Sequence, residues 1–80
     1  MRRSIWTDEY QKLRKALKNM RVEAHLNQKD LAILLDKPRT FVTKYENADR
    51  NLDLLEVIKV CKACNKDPLA FLKQLLQEIN

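Results

Sequence analysis

Glycine is absent from this 80-residue chain, although average usage would supply about five or six. That absence excludes the glycine-rich loops that cradle nucleotide phosphates. Cysteine is scarce and histidine scarcer: Cys61 and Cys64 form a single C-x-x-C, and His25 is the one histidine. A structural zinc site takes about four ligands, and neither a second cysteine pair nor a histidine pair exists to complete one. A redox use of the motif would need a strand ahead of it, and none is suggested. The two thiols are therefore expected buried and reduced, on one helix face with Val57 and Val60. With no Cys/His nucleophile arrangement and no carboxylates at ligand spacing, an enzyme is not expected, and no cofactor or metal is implied. Aromatic residues make up 6% of the chain, too few for a base-stacking RNA surface. No apolar run approaches the ~20 residues of a membrane-spanning helix. Thr7-Asp8-Glu9 follows Arg2 and Arg3 where a signal peptide would carry its apolar core. A cytoplasmic location is expected.

What is present is a compact set of folding signals. Apolar residues at 45% support a folded globule, and a chain this short makes one domain over residues 1–80. The net charge of +5 is uneven: residues 1–44 hold 11 Lys or Arg against 5 Asp or Glu, residues 45–80 hold 5 against 6. A basic face on a small domain is the footprint of a polyanion partner, though a solvated surface has the same composition.

No stretch alternates long enough to suggest a sheet, and every segment reads as helix. Thr7 is placed to cap a first helix, with Asp8 and Glu9 in its first turn and Tyr10, Leu13, Leu17 and Met20 as its apolar stripe. Lys12, Arg14, Lys15, Lys18 and Arg21 lie on its other faces. Asn27 caps a second helix, with Asp30 closing a capping box, Leu26 and Leu31 as a hydrophobic staple, and Leu31, Leu34 and Leu35 as the stripe. Pro38 ends that helix and stands at the start of a third, running to about Asn47. Asp53 and Glu56 repeat the box, with Leu52 and Val57 as staple, for a fourth helix to about Cys64. Asp67-Pro68 opens a fifth, at about residues 67–79, with a stripe of Leu69, Leu72, Leu75, Leu76 and Ile79 and with Phe71 beside it.

Helices two and three, Gln28 to Leu35 and about Arg39 to Asn47, are joined by about three residues, as in the DNA-binding helix-turn-helix. Ala32 is small because it faces the inside corner where the helices cross. Val42 and Tyr45 face the core, which leaves Arg39, Thr40, Thr43 and Lys44 on the outward face that enters the major groove in this motif. Phe41 has two readings, packed on the helix edge or against thymine methyls.

In these residues the chain resembles the Cro and phage-repressor-like regulators, the xenobiotic-response-element family, from about Tyr10 to Leu72. The matching residues are Leu13, Arg14, Gln28, Asp30-Leu31-Ala32, Leu35, Pro38, Phe41 to Glu46, Arg50, Leu52-Asp53, Glu56 and Asp67-Pro68. The resemblance implies an all-α bundle of five helices of the lambda-repressor-like type. It also implies that Gln28 contacts a phosphate through its amide and the free N–H groups of its helix, and that Arg14 pairs with Glu46. Where the family commonly carries glycine, this chain has His25, Asp36, Ala48 and Asn65. His, Asp and Asn tolerate positive φ best after glycine; Ala48 does not, and leaves the path after the third helix open.

Arg39 offers a planar fork for the O6 and N7 edge of guanine. Thr40 and Thr43 can bond bases or phosphates, Lys44 a base or phosphate, and Asn47 a phosphate. The function expected is a sequence-specific regulator of double-stranded DNA, a repressor that binds a palindromic operator as a homodimer, because one module reads only a few base pairs. Helix five, wide in its apolar stripe, is the expected dimer surface. The alternative is a protein-interaction module, such as an antitoxin-like subunit, whose main partner is another protein.

Overall fold

The computed structural model describes residues 5–79. All regular structure among the described residues is helical: α1 (Ile5–Glu23), α2 (Gln28–Leu34), α3 (Arg39–Glu46), α4 (Leu54–Ala63) and α5 (Pro68–Ile79).

Local chemistry starts three of these helices. Asn27 takes extended dihedrals, its Oδ1 accepts from the Asp30 N–H at 2.7 Å, and the Asp30 carboxylate accepts from the Asn27 N–H at 3.5 Å. Asp53 does the same for α4, with bonds of 2.8 and 2.9 Å to and from Glu56. Asp67 Oδ1 accepts from the Leu69 N–H at 3.1 Å at the head of α5. Each box satisfies N–H groups that a helix start otherwise leaves without a partner. The expected Thr7 cap is corrected: α1 already runs through Thr7, which lies exposed inside the helix. No proline or glycine precedes it to end the helix there, so a residue suited to capping is left on the surface.

The helix ends explain how the fold dispenses with glycine. His25, Asp36, Ala48 and Asn65 all have positive φ, at 61°, 57°, 68° and 57°. In each case the next N–H reaches back to close the helix: Leu26 to the Arg21 carbonyl, Lys37 to Ala32, Asp49 to Lys44 and Lys66 to Cys61, at 2.8–3.2 Å. These are the six-to-one bonds of a Schellman ending. The path left open at Ala48 is thus the same left-handed turn, made by a residue whose Cβ disfavours it by about 1–2 kcal/mol.

α2 packs chiefly on α3, α1 lies against α3 and α5, and α4 against α2 and α5. The core between them takes Leu17 and Met20 from α1, Leu31 and Ala32 from α2, Val42 and Tyr45 from α3, Val60 and Cys61 from α4, and Phe71 and Leu75 from α5. Ala32 sits in the corner where a larger side chain would force the two short helices apart. Two assignments change. Leu34 is exposed, because α2 turns Leu31, Ala32 and Leu35 inward instead. Phe71 belongs to the core with Leu75 and Ile79, one row at four-residue spacing, while Leu69, Leu72 and Leu76 are exposed. Cys61 and Cys64 are free and buried. Burial pushes the Cys61 thiol up to about 11 and raises Cys64 as well, so both stay protonated and weakly nucleophilic. Among the described residues no helix is long and apolar enough to cross a membrane.

Candidate nucleic-acid interface

α3 starts without the local help its neighbours have. Its cap residue is Pro38, which makes no side-chain bond, and no acid occupies its first turn. The first residue is instead Arg39, a cation at the positive end of the helix dipole. Arg39, Thr40 and Lys44 are exposed, with Thr43 half-buried between them. Among the described residues nothing bonds to the side chains of Arg39, Thr40 or Lys44, so their donors are free. Spacing of one and four residues puts these side chains on one face of an eight-residue helix about 12 Å long, a length that lies within the width of a major groove. Asn47 ends α3 as an exposed residue whose backbone N–H bonds the Thr43 carbonyl at 3.0 Å.

Behind that face lies a polar cluster that holds three helices together. The Arg21 guanidinium grips Glu46, Nε on Oε2 at 2.8 Å and Nη2 on Oε1 at 3.2 Å, and its Nη1 donates to the Leu26 carbonyl at 2.8 Å. Both side chains are buried, 10% and 3% exposed. The Glu46 bond, against the cost of burial, raises the Arg21 pKa and keeps it charged. Gln28 Nε2 donates to Glu46 Oε1 at 2.9 Å, and the Thr43 hydroxyl donates to Gln28 Oε1 at 3.0 Å. Gln28, expected to reach a phosphate, is thus half-buried with one amide hydrogen and its oxygen held by α3.

The cluster corrects the pairing expected from the resemblance. Glu46 takes Arg21, whereas Arg14 Nη1 donates to Asn51 Oδ1 at 3.3 Å. Arg21 is the structural residue that sequence reasoning missed. Its signal was its spacing: it falls four residues after Leu17, on the buried side of α1, where an unpaired charge would be costly. Lys12, on an outer face of α1, donates to the Glu78 carbonyl at 2.9 Å at the end of α5. Phe41 resolves to the packed reading. It is 8% exposed, edge-on to Tyr45, with the Arg50 guanidinium 4.6 Å and the Lys37 ammonium 5.7 Å from its ring centre. Arg50 also pairs with Glu56 at 2.6 Å, tying the segment after α3 to the first turn of α4. Tyr45 is buried beside Glu46, its hydroxyl without a hydrogen-bond partner among the described residues, and burial raises its pKa above the usual phenol value.

A family model described as helix-turn-helix matches residues 17–71, more than half the chain and all of α2, α3 and α4. No curated protein sequence matches the chain. Among solved structures, an XRE-family like protein from Pseudomonas syringae pv. tomato superposes with a TM-score of 0.87 and 39% identity, over 92% of this chain and 90% of that one. The wild-type restriction-modification controller protein C.Esp1396I superposes with a TM-score of 0.81 and 27% identity, over 89% of this chain and 92% of its own.

Proposed function

The chain belongs to the Cro/C1-type, XRE-like helix-turn-helix family, and from that premise we propose that it is a repressor that binds a palindromic operator as a homodimer. That it is a DNA-binding transcription regulator and not an enzyme follows from the family. The finer reading rests on one observation above others: α3 presents Arg39, Thr40 and Lys44 exposed and unheld on a helix braced from behind by Arg21 and Glu46. Side chains free to bond a partner, on a helix held in place by packing and hydrogen bonds behind it, are what base readout requires.

On this reading α2 and α3, within residues 28–47, are the helix-turn-helix, and α3 enters the major groove. Arg39 takes a guanine edge, Thr40 and Thr43 meet neighbouring bases, and Lys44 and Asn47 reach a base or phosphate at the far end of the helix. Gln28 gives its remaining amide hydrogen to a phosphate. Dimerisation is supported by a run of exposed leucines on α4 and α5: Leu54 at 73%, Leu55 at 68%, Leu69 at 75%, Leu72 at 47% and Leu76 at 51% exposed. Leu54, Leu69 and Leu72 border an apolar groove that Val57, Phe71 and Leu75 also line. Large contiguous apolar surface is rare on a soluble monomer, and a second copy presenting the same patch is self-complementary by symmetry.

Selection of duplexes from a random pool, at about 150 mM salt to suppress the non-specific term, tests this directly. The expected result is a palindrome with half-sites about 10 base pairs apart, whose binding weakens by about 1–3 kcal/mol with Arg39→Ala. Sedimentation of Leu72→Glu should show a monomer that still folds. Weak binding that vanishes with added salt, and no enriched sequence, would discard the operator-binding repressor reading in favour of a protein partner.

A further inference from the structure

We infer that the polar cluster behind α3 fixes Thr43 as a hydrogen-bond acceptor toward DNA, so that it reads the exocyclic amino group of an adenine or cytosine and gains nothing by donating to a phosphate. The inference rests on α3 as the reading helix and goes further, assigning the chemistry that one of its side chains accepts.

The polarity is set link by link. A guanidinium can only donate, and Arg21 spends its hydrogens on both oxygens of Glu46 and on the Leu26 carbonyl. The Glu46 carboxylate, 3% exposed, can only accept. Gln28 could offer either end of its amide, but its carbonyl oxygen set against a carboxylate oxygen would be repulsive. The amide therefore points Nε2 at Glu46, at 2.9 Å, and Oε1 at Thr43, at 3.0 Å. Gln28 Oε1 has no hydrogen to give, so the single hydrogen of the Thr43 hydroxyl is directed at it. The other neighbour of that hydroxyl is the Arg39 carbonyl at 3.3 Å, again a pure acceptor. Whichever of the two takes the hydrogen, it is turned into the protein, and what the hydroxyl has left to offer a partner is a lone pair.

Phosphate oxygens, guanine O6 and N7, and thymine O4 are all acceptors, and each would face that lone pair with another. The donors that major-groove edges offer are adenine N6 and cytosine N4. To bond a phosphate, the Thr43 hydroxyl would have to swing its hydrogen outward and leave Gln28 Oε1 without its donor in a half-buried site, a loss comparable to the bond gained. Arg21, Glu46 and Gln28 are thus positioning residues. They touch no base in this account, yet they decide which bases Thr43 admits.

The test starts from the operator selected by the native chain. The base pair whose selection is relaxed in Thr43→Val, a variant of nearly equal volume, marks where Thr43 acts; the thermal unfolding of that variant confirms that it folds. At that base, adenine is replaced by unsubstituted purine, or cytosine by pyrimidin-2-one, to delete the amino group alone. In parallel 7-deazaadenine, or 7-deazaguanine on the opposite strand, deletes an acceptor alone. The native chain and Thr43→Ser should bind the amino-deleted duplex roughly tenfold more weakly, Thr43→Val should not distinguish it, and the acceptor deletion should change nothing that depends on Thr43. The inference is overturned if the loss follows the acceptor, or if Thr43→Val relaxes no base and instead removes sensitivity to a neutral methylphosphonate linkage. Those results would leave the regulator reading standing. Selection that enriches no sequence at all would overturn both.

Discussion

α3 and α4 are of similar length and meet the same core, yet they begin in opposite ways. α4 has a reciprocal capping box, Glu56 in its first turn and Lys62 in its last, so local sequence alone favours it at both ends. α3 starts at a proline with no side-chain bond and places Arg39 where the dipole favours an acid; its last turn carries Lys44 as that of α4 carries Lys62, but its left-handed ending falls on Ala48, whereas that of α4 falls on Asn65. What holds α3 is tertiary: Val42 and Tyr45 in the core and Glu46 on Arg21. The surfaces differ accordingly, since α3 exposes polar and cationic side chains and α4, with α5, exposes leucines. The comparison teaches that a helix whose first outward residues are reserved for a partner gives up the local stabilisers of its N-terminus and borrows support from behind. Local rules are broken at functional sites and compensated elsewhere.

The sharpest way to break the comparison is to remove what α3 borrows. Glu46→Ala leaves the Arg21 guanidinium, 10% exposed, buried without its partner, which costs about 3–5 kcal/mol. In a domain this small, denaturant unfolding should show most of the stability gone. Replacing both charges, with Arg21→Met and Glu46→Leu together, should recover much of it, because an apolar pair of similar volume avoids the desolvation of two ions. The double variant should nevertheless bind DNA less selectively, since Gln28 and Thr43 lose the group that orients them. Full recovery of stability with unchanged selectivity would reduce the cluster to a structural brace.

The next effect is on the other helix. Asp53→Ala removes the cap of α4 and leaves the Glu56 N–H without its acceptor, at about 1 kcal/mol, or roughly 4–8 °C of melting temperature in a domain of this size. DNA affinity per folded molecule should not change. Ala48→Gly works in the opposite direction on α3. Glycine relieves the Cβ at φ 68° but adds freedom to the unfolded chain, so the net gain should be about 0.5–1 kcal/mol. A loss on Ala48→Gly would mean that the alanine methyl makes a contact worth more than its strain.

Much of this was legible in the residues because much of it is local. The boxes at Asn27 and Asp53, the stop before Pro38 and the glycine-like turns at His25, Asp36 and Asn65 depend on neighbours a few positions away. The outward face of α3 follows from helical period alone. What was not legible is what one helix does to another. Arg14 and Arg21 lie two turns apart on α1; the step of four from Leu17 marks Arg21 as the inward one, but nothing on α1 says that its partner is Glu46. Gln28 and Thr43 bond each other across fifteen positions, so their inward engagement could not be read from either helix. Thr7 failed for a different reason: a residue able to cap does so only where the chain leaves helical dihedrals, and here the helix runs on past it.

The smallest effect on stability separates the two helices most cleanly. Arg39→Glu places an acid in the first turn of α3, as Glu56 stands in α4. Exchanging a disfavoured for a favoured charge at a helix N-terminus is worth about 0.3–1 kcal/mol at low ionic strength, and it is screened as salt rises. The variant should therefore melt a few degrees higher than the native chain in dilute buffer, and the gain should shrink toward zero near 1 M salt. Its specific DNA binding should be abolished, because a carboxylate replaces the guanine-reading fork and repels the phosphates. Greater stability together with lost binding would mean that the native arginine is kept against the helix's own interest. Unchanged binding would remove Arg39 from the reading face and shift the weight of recognition to Thr40 and Lys44.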